Sequence, residues 1–235
     1  MKTLVICSGG LDSVTLAWHV AASAQLHSLI SFDYGQRHRR ELLCAADCAR
    51  DLGVPHRIVD LNCLTALLGD NALTGERAVP HGHYNEQSMK QTVVPNRNAI
   101  MMTIAFAAAA SGGADAVALA VHGGDHFIYP DCRPGFIDAF AQMQQAALDG
   151  MADITLQAPF VDRDKAAIVQ LGAELGVPFA ATRSCYEAGE LHCGRCGTCV
   201  ERREAFALAG VDDPTTYQDP DYWKTAVAAA AQERS

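Results

Sequence analysis

A membrane-spanning helix needs roughly twenty consecutive apolar residues, and this sequence offers no such run. The longest candidate, IAFAAAASGGADAVALAV (104–121), is interrupted by Gly112, Gly113 and Asp115 and reads as a buried helix followed by a buried strand. The leading MKTLVICSGG has a short apolar run with no cleavage-site pattern behind it. A soluble, cytoplasmic protein is the expectation. Basic residues are also scarce: 18 Lys and Arg stand against 27 Asp and Glu, a net charge of −9. That balance speaks against stable nucleic-acid binding, which depends on cations laid against phosphates. The one basic cluster, GQRHRRE (35–41), is either a solvated helix face or a local anion site. There is no repeat of fixed period and no low-complexity segment. Nine cysteines, an odd number, exclude a complete disulfide framework.

What remains is a chain that alternates apolar strands with amphipathic helices. KTLVIC (2–7), HSLISFDY (27–34), HRIVDL (56–61), DAVALAV (115–121) and ITLQAP (154–159) read as strands, nearly continuous in apolar residues and so covered on both faces. Between and after them lie helical patterns at 11–23, 37–53, 96–113, 135–150 and 163–176. This order predicts an α/β fold with a doubly wound, mainly parallel sheet. The stretch 69–94 shows no clear period. Its length suggests a functional loop, and closure over a substrate is the expectation. The terminal DYWKTAVAAAAQERS is either a docking helix or a frayed tail.

CSGGLDS (7–13) interrupts the first strand-to-helix passage. Glycines there bare backbone N–H groups at a helix N-terminus, which is an anion site. Ser8 and Ser13 add hydroxyl donors. No Gly-Lys-Ser/Thr follows, and the three-glycine dinucleotide spacing is missing. Asp12 would repel phosphates unless a divalent cation lay between, so it is read as a Mg²⁺ contact. The plain alternative is a glycine turn with a helix-capping aspartate.

CYEAGELHCGRCGTC places Cys185, Cys193, Cys196 and Cys199 at C-x7-C-x2-C-x2-C. Four thiolates at this spacing close a tetrahedral Zn²⁺ site with no open position. The expected role is a structural staple holding 180–200 against the sheet. A redox pair or an iron–sulfur cluster is the alternative, and His192 is a competing ligand.

SGGLDS also resembles the S-G-G-x-D-S signature of the PP-loop ATP pyrophosphatases, which implies an adenine nucleotide α-hydrolase-like fold. FDYGQRHRRE (32–41), VPNRNAIM (94–101), IYPDCRPGF (128–136) and the cysteine cluster extend the likeness. With SGGLDS they resemble, in order, the 7-cyano-7-deazaguanine synthases of queuosine biosynthesis. The resemblance implies two units packed as one domain: an ATP-binding part over 1–180, and a zinc loop with C-terminal helices over 181–235. It also implies conversion of 7-carboxy-7-deazaguanine and ammonia to the nitrile through an adenylated acid and an adenylated amide, releasing AMP and pyrophosphate. On this reading Ser8, Gly9, Gly10, Leu11, Asp12 and Ser13 hold ATP and Mg²⁺. Arg97 and Arg133 meet a carboxylate or phosphate, Asp131 meets the guanine-like edge or a metal, and Lys165 stabilises developing charge. Tyr34, Gln36, His38, Asn96 and Asn98 complete the substrate contacts. The plainer readings are surface ion pairs for the arginines, a helix cap for Asn96 and a helix-start residue for His38. Homodimers are the family's habit.

The sequence departs from the family pattern at Asn96, Phe127 and Ile128, with His122 and His126 nearby. These departures keep open an enzyme that stops at the amide or joins the carboxyl group to another amine, including one on a protein. A non-catalytic, zinc-stapled nucleotide-binding protein and a tRNA-modifying PP-loop enzyme are the further alternatives.

Overall fold

The computed structural model describes residues 1–67, 72–75, 77–83 and 89–233. Five strands form one sheet in the order β3-β2-β1-β4-β5, and every neighbouring pair is parallel. They are β1 (Lys2–Ile6), β2 (Gln25–Asp33), β3 (His56–Asp60), β4 (Ala116–Ala118) and β5 (Thr155–Gln157). The helices are α1 (Leu11–Ser23), α2 (Glu41–Asp51), α3 (Arg97–Gly112), α4 (Pro134–Ala147), α5 (Lys165–Leu175), α6 (Gly197–Ala209) and α7 (Tyr222–Glu233).

The period-2 alternation of β1 divides its side chains between two apolar layers. Leu4 and Ile6 face a layer built by Met102, Ala105 and Phe106 of α3 and by Ile137 and Phe140 of α4. Val5 faces a second layer built by α1, α2, α5 and α6, through residues such as Val14, Ala45, Ile168 and Phe206. The sheet is therefore covered on both faces, as expected. The chain works outward from β1 through β2 to β3, then crosses back to place β4 on the other side of β1. This is the reversal of strand order at which open α/β sheets bind ligands. The SGGLDS turn leaves β1 at that point.

Three differences from the expected elements have local causes. The helix read over 37–53 begins only at Glu41, because the residues before it form tighter turns, with Glu41 N, Leu42 N and Leu43 N donating to His38 O, Arg39 O and Arg40 O; the Gln36 side chain accepts from Tyr34 N and donates to Phe32 O and Glu41 Oε1. β4 is three residues long, and residues beyond it turn into a cleft. The described parts of 69–94 are not a free surface loop: Leu73, Met89 and Val94 are buried in the core. The rest of that stretch, and with it the expected closure over substrate, lies outside the described residues. The C-terminal segment forms α7, which packs on α6. The Arg203 guanidinium lies 5.7 Å from the Trp223 ring centroid. Among the described residues no helix is long and apolar enough to cross a membrane.

Candidate active site

The turn after β1 is held by its own hydrogen bonds and by close packing on α2. Gly9 has φ +90°, and a Cβ there would lie 1.9 Å from Glu41 O on α2. No other residue type fits that approach. The Ser8 amide donates to Ser13 Oγ at 3.1 Å, and Ser13 Oγ donates to Gly10 O at 3.1 Å. Gly10 occupies the N-cap of α1 with no side-chain cap bond, so first-turn amides stay available to an anion.

Asp12 does not cap α1. Its Oδ2 lies 3.4 Å from Lys165 Nζ and 3.9 Å from His122 Nε2. Its Oδ1 is buried without a partner, which suits a bound cation. Lys165, at the first position of α5, donates to Glu201 Oε2 of α6 at 2.6 Å. His122 lies 3.4 Å from Asp125 in the loop after β4. Burial alone would depress the Lys165 ammonium. The carboxylates of Asp12, Glu201 and Asp125 outweigh it and hold the pKa above the usual lysine range, so Lys165 is a fixed positive charge. Burial pushes Glu201 up despite Lys165 and His122.

The facing part of the cleft is aromatic and cationic. Tyr34, His38, Glu41, Arg97, Asn98, Tyr129 and Tyr186 line it. Arg97 Nη1 donates to Tyr34 Oη at 3.3 Å, and its guanidinium lies 5.8 Å from that ring's centroid. Burial raises the Tyr34 phenol to about 12 against the pull of Arg97. Burial, then Arg97 and Arg183, hold His38 down to about 3. Burial lifts Glu41 to about 8.

Ser8, Gly10, Leu11, Asp12, Ser13, Tyr34, His38, Arg97, Asn98 and Lys165 thus meet around one cleft. Five other candidates lie outside its lining. Gly9 is a packing residue against α2. Gln36 is buried behind the wall, where its amide braces the turn into α2. Asn96 is exposed in the left-handed region at φ 56°, at the N-cap of α3 but with no cap bond. Asp131 accepts from Asn98 N at 3.1 Å and so caps α3 from another element. Arg133 is exposed and donates to His126 O.

Several lining residues carry no local motif. His122, Asp125, Arg183, Tyr186 and Glu201 reach the cleft from loops or helices far apart in sequence. Glu41 closes the basic cluster at 35–41, and Glu201 lies two residues past the last cysteine of the cluster. Those positions were the available signals.

The four cysteines converge. Cys185, Cys193, Cys196 and Cys199 are buried, with sulfurs all within 4.8 Å of one another. Arg195 N and Cys196 N both donate to Cys193 Sγ, and Cys193 N donates to Cys185 Sγ, each at 3.3 Å. Such donors favour thiolates, and the set fits a tetrahedral cation without an open position. Gly194 has φ +78°, and a Cβ there would meet Asp219 O at 2.0 Å. His192 is outside this group of four; its Nε2 accepts from Ser184 N at 3.2 Å. The loop reaches the glycine turn after β1 directly, since Arg183 N donates to Gly9 O at 3.0 Å.

The family described as "Queuosine biosynthesis protein QueC" matches residues 2–210. A protein of Rhizobium rhizogenes named 7-cyano-7-deazaguanine synthase is 66% identical over 234 residues, covering 99% of each chain. A protein of the same name from Brucella anthropi is 66% identical over 227 residues, 97% of this chain and 98% of its own. Among solved structures, the NMN synthetase of Francisella tularensis has a TM-score of 0.50 at 15% identity. The match covers 99% of this chain and 86% of that one, and it is a likeness of fold alone. Together with the parallel sheet, the SGGLDS turn at its switch point and the four converging cysteines, these matches show that the chain belongs to the QueC family of queuosine biosynthesis.

Proposed function

We propose that this protein converts 7-carboxy-7-deazaguanine and ammonia to 7-cyano-7-deazaguanine, with two ATP molecules cleaved to AMP and pyrophosphate. The observation that carries the reading is one cleft with a phosphate-type end, at Ser8, Gly10, Asp12 and Lys165, and an aromatic, arginine-bearing end, at Tyr34, Arg97 and Tyr186. The two full-length relatives supply the product by their names.

A carboxylate resists ammonia until its oxygen becomes a leaving group. In the first step the substrate carboxylate attacks the α-phosphorus of ATP and pyrophosphate departs. Ammonia then displaces AMP to leave the amide. In the second round the amide oxygen attacks the α-phosphorus of another ATP and pyrophosphate departs; the adenylated amide then loses AMP and its two N–H protons to leave the nitrile. The α1 amides with Ser8 and Ser13 hold the phosphates, and Lys165 stands where negative charge grows as pyrophosphate leaves. Arg97, with a planar fork of donors, holds the acid in line. Asp12 would hold Mg²⁺, which would supply charge neutralisation of the phosphates. Zinc in the four thiolates is structural, and the reduced thiols suit the cytoplasm.

No observation favours an enzyme that stops at the amide or uses another amine. Asn96 is exposed, Ile128 is buried in the core, Phe127 is 47% exposed, and His126 is outside the lining. Only His122 of those departures lines the cleft. The test is an end-point assay with Mg-ATP, ammonium and 7-carboxy-7-deazaguanine, with products weighed by mass spectrometry. Nitrile with two AMP is expected. Amide alone would refute the second round, and no AMP would refute the assignment.

A further inference from the structure

We propose that Glu41 selects the base: its carboxylate accepts the adjacent N1–H and 2-amino protons of the substrate's 2-aminopyrimidinone ring. This rests on the function proposed above and assigns an edge that the sequence left to Asp131.

Four carboxylates line the cleft: Asp12, Glu41, Asp125 and Glu201. Three belong to the phosphate end, gathered around Lys165 and His122. Asp131 is occupied in capping α3. Glu41 is the one carboxylate among the described lining residues at the aromatic end. Its Oε1 accepts from Gln36 Nε2 at 3.1 Å and lies 3.5 Å from His38 Nε2. Burial keeps that imidazole neutral, so it gives no counter-charge. Beside it, His38 is 5% exposed and its Nδ1 is buried without a partner. This polar wall is incomplete until a ligand supplies hydrogen bonds, since buried polar groups are otherwise paired.

The chemistry of the ring matches the carboxylate of Glu41. A 2-aminopyrimidinone presents two neighbouring N–H donors, and a carboxylate presents two acceptors. A glutamine would offer one acceptor and one donor, so it would oppose one of the two protons. Burial lifts Glu41 to about 8 in the free protein. Two donated hydrogen bonds would stabilise its ionised form. A base without the 2-amino group would leave one acceptor unpaired, which is where discrimination against buried polar sites comes from.

The test compares 7-carboxy-7-deazaguanine with its analogue lacking the 2-amino group, on the full-length zinc-bound protein. Wild type should show a KM for the analogue raised roughly 10- to 100-fold. Glu41→Gln should raise the KM for the parent base by a similar factor, bring the ratio of the two bases near one, and leave the KM for ATP unchanged. A merely structural role would weaken ATP and both bases together. If Glu41→Gln does not fold, Glu41→Asp is read instead: a raised KM for the parent base at constant KM for ATP is expected, and an unchanged one overturns the proposal. A wild type that does not discriminate, or a Glu41→Gln variant that keeps the wild-type ratio, also overturns it. A wild type that turns over neither base would sink the proposed function instead. Calorimetric binding of the two bases without ATP would then still give the ratio that judges Glu41.

Discussion

Lys165 is the clearest case of a side chain whose role depends on what surrounds it. Alone it is a lysine in a helix. Beside Asp12, Glu201 and Asp125 it is a buried, permanently charged group at the end of the cleft proposed to hold phosphates. Lys165→Ala should lower kcat/KM by about 10²- to 10³-fold, with more effect on kcat than on the KM for the base. AMP release under single-turnover conditions checks this, and a fall below tenfold would remove Lys165 from charge stabilisation. His38 makes a prediction about stability. Its ordinary pKa of 6.5 falls to about 3 in the folded protein, through burial, then Arg97 and Arg183. The unfolded chain therefore binds the extra proton first. The stability held in the neutral ring is fully present above pH 6.5 and is lost as pH falls towards 3. Glu41, lifted to about 8, acts in the opposite sense over the same range, so the prediction is a difference between chains: from pH 6.5 to 5 the melting temperature of the wild type should fall more, or rise less, than that of His38→Gln. Equal slopes would contradict it. The sequence showed the chemistry of both residues, but not their neighbours, because Glu201 is 36 residues from Lys165 in the chain.

At the scale of elements, hydrophobic period was a good guide where packing agreed with it. α1 runs from Leu11 to Ser23, the same span its pattern gives, since both its apolar stripe and the glycine break before it are local features. α2 starts four residues later than its pattern. The residues before it close tighter turns, in which the amides of Glu41, Leu42 and Leu43 donate to the carbonyls of His38, Arg39 and Arg40. Gly9 sits between these helices, and its lack of a side chain lets α2 pack on the turn. Gly9→Ala combines a left-handed φ with a clash against a main-chain oxygen. It should cost on the order of 3 kcal/mol or more, seen as a large fall in denaturation midpoint at constant m-value. Gly53 also has positive φ, but a Cβ there meets nothing within 4 Å. Gly53→Ala should cost about 1–2 kcal/mol from backbone strain alone. Equal losses at the two positions would show that strain, not the contact with α2, dominates at Gly9.

At the scale of the whole molecule, the cysteine loop ties the C-terminal part of the chain to the glycine turn after β1. Cys199 lies in the first turn of α6, two residues before Glu201, and α6 packs on α5, which carries Lys165. Arg183 joins the loop to Gly9 O through its own amide. Its guanidinium binds the carbonyls of Glu187, Gly189 and Glu190. Gln218 N and Asp219 N donate to His192 O and Cys193 O, so the segment before α7 rests on the same loop. Removing one ligand should therefore affect stability and the cleft together. Cys196→Ser should abolish stoichiometric zinc by elemental analysis and lower the melting temperature by more than about 10 °C. Retained zinc at one per chain would refute the four-thiolate site.

The sequence by itself determined the α/β class, the glycine turn after the first strand and the four cysteines. Each of these is written in residues close together in the chain. Period, turn chemistry and ligand spacing are short-range properties, and a short-range code can be read in one dimension. The tertiary structure alone decided which charges share the cleft. It joined Asp12 to Lys165, His122 and Glu201, moved Asp131 into a helix cap, and left Glu41 facing the aromatic end. Those partnerships come from helices and loops brought to the same end of one parallel sheet. Burial, which sets the charge states of His38 and Glu41, exists only once the sheet is covered on both faces.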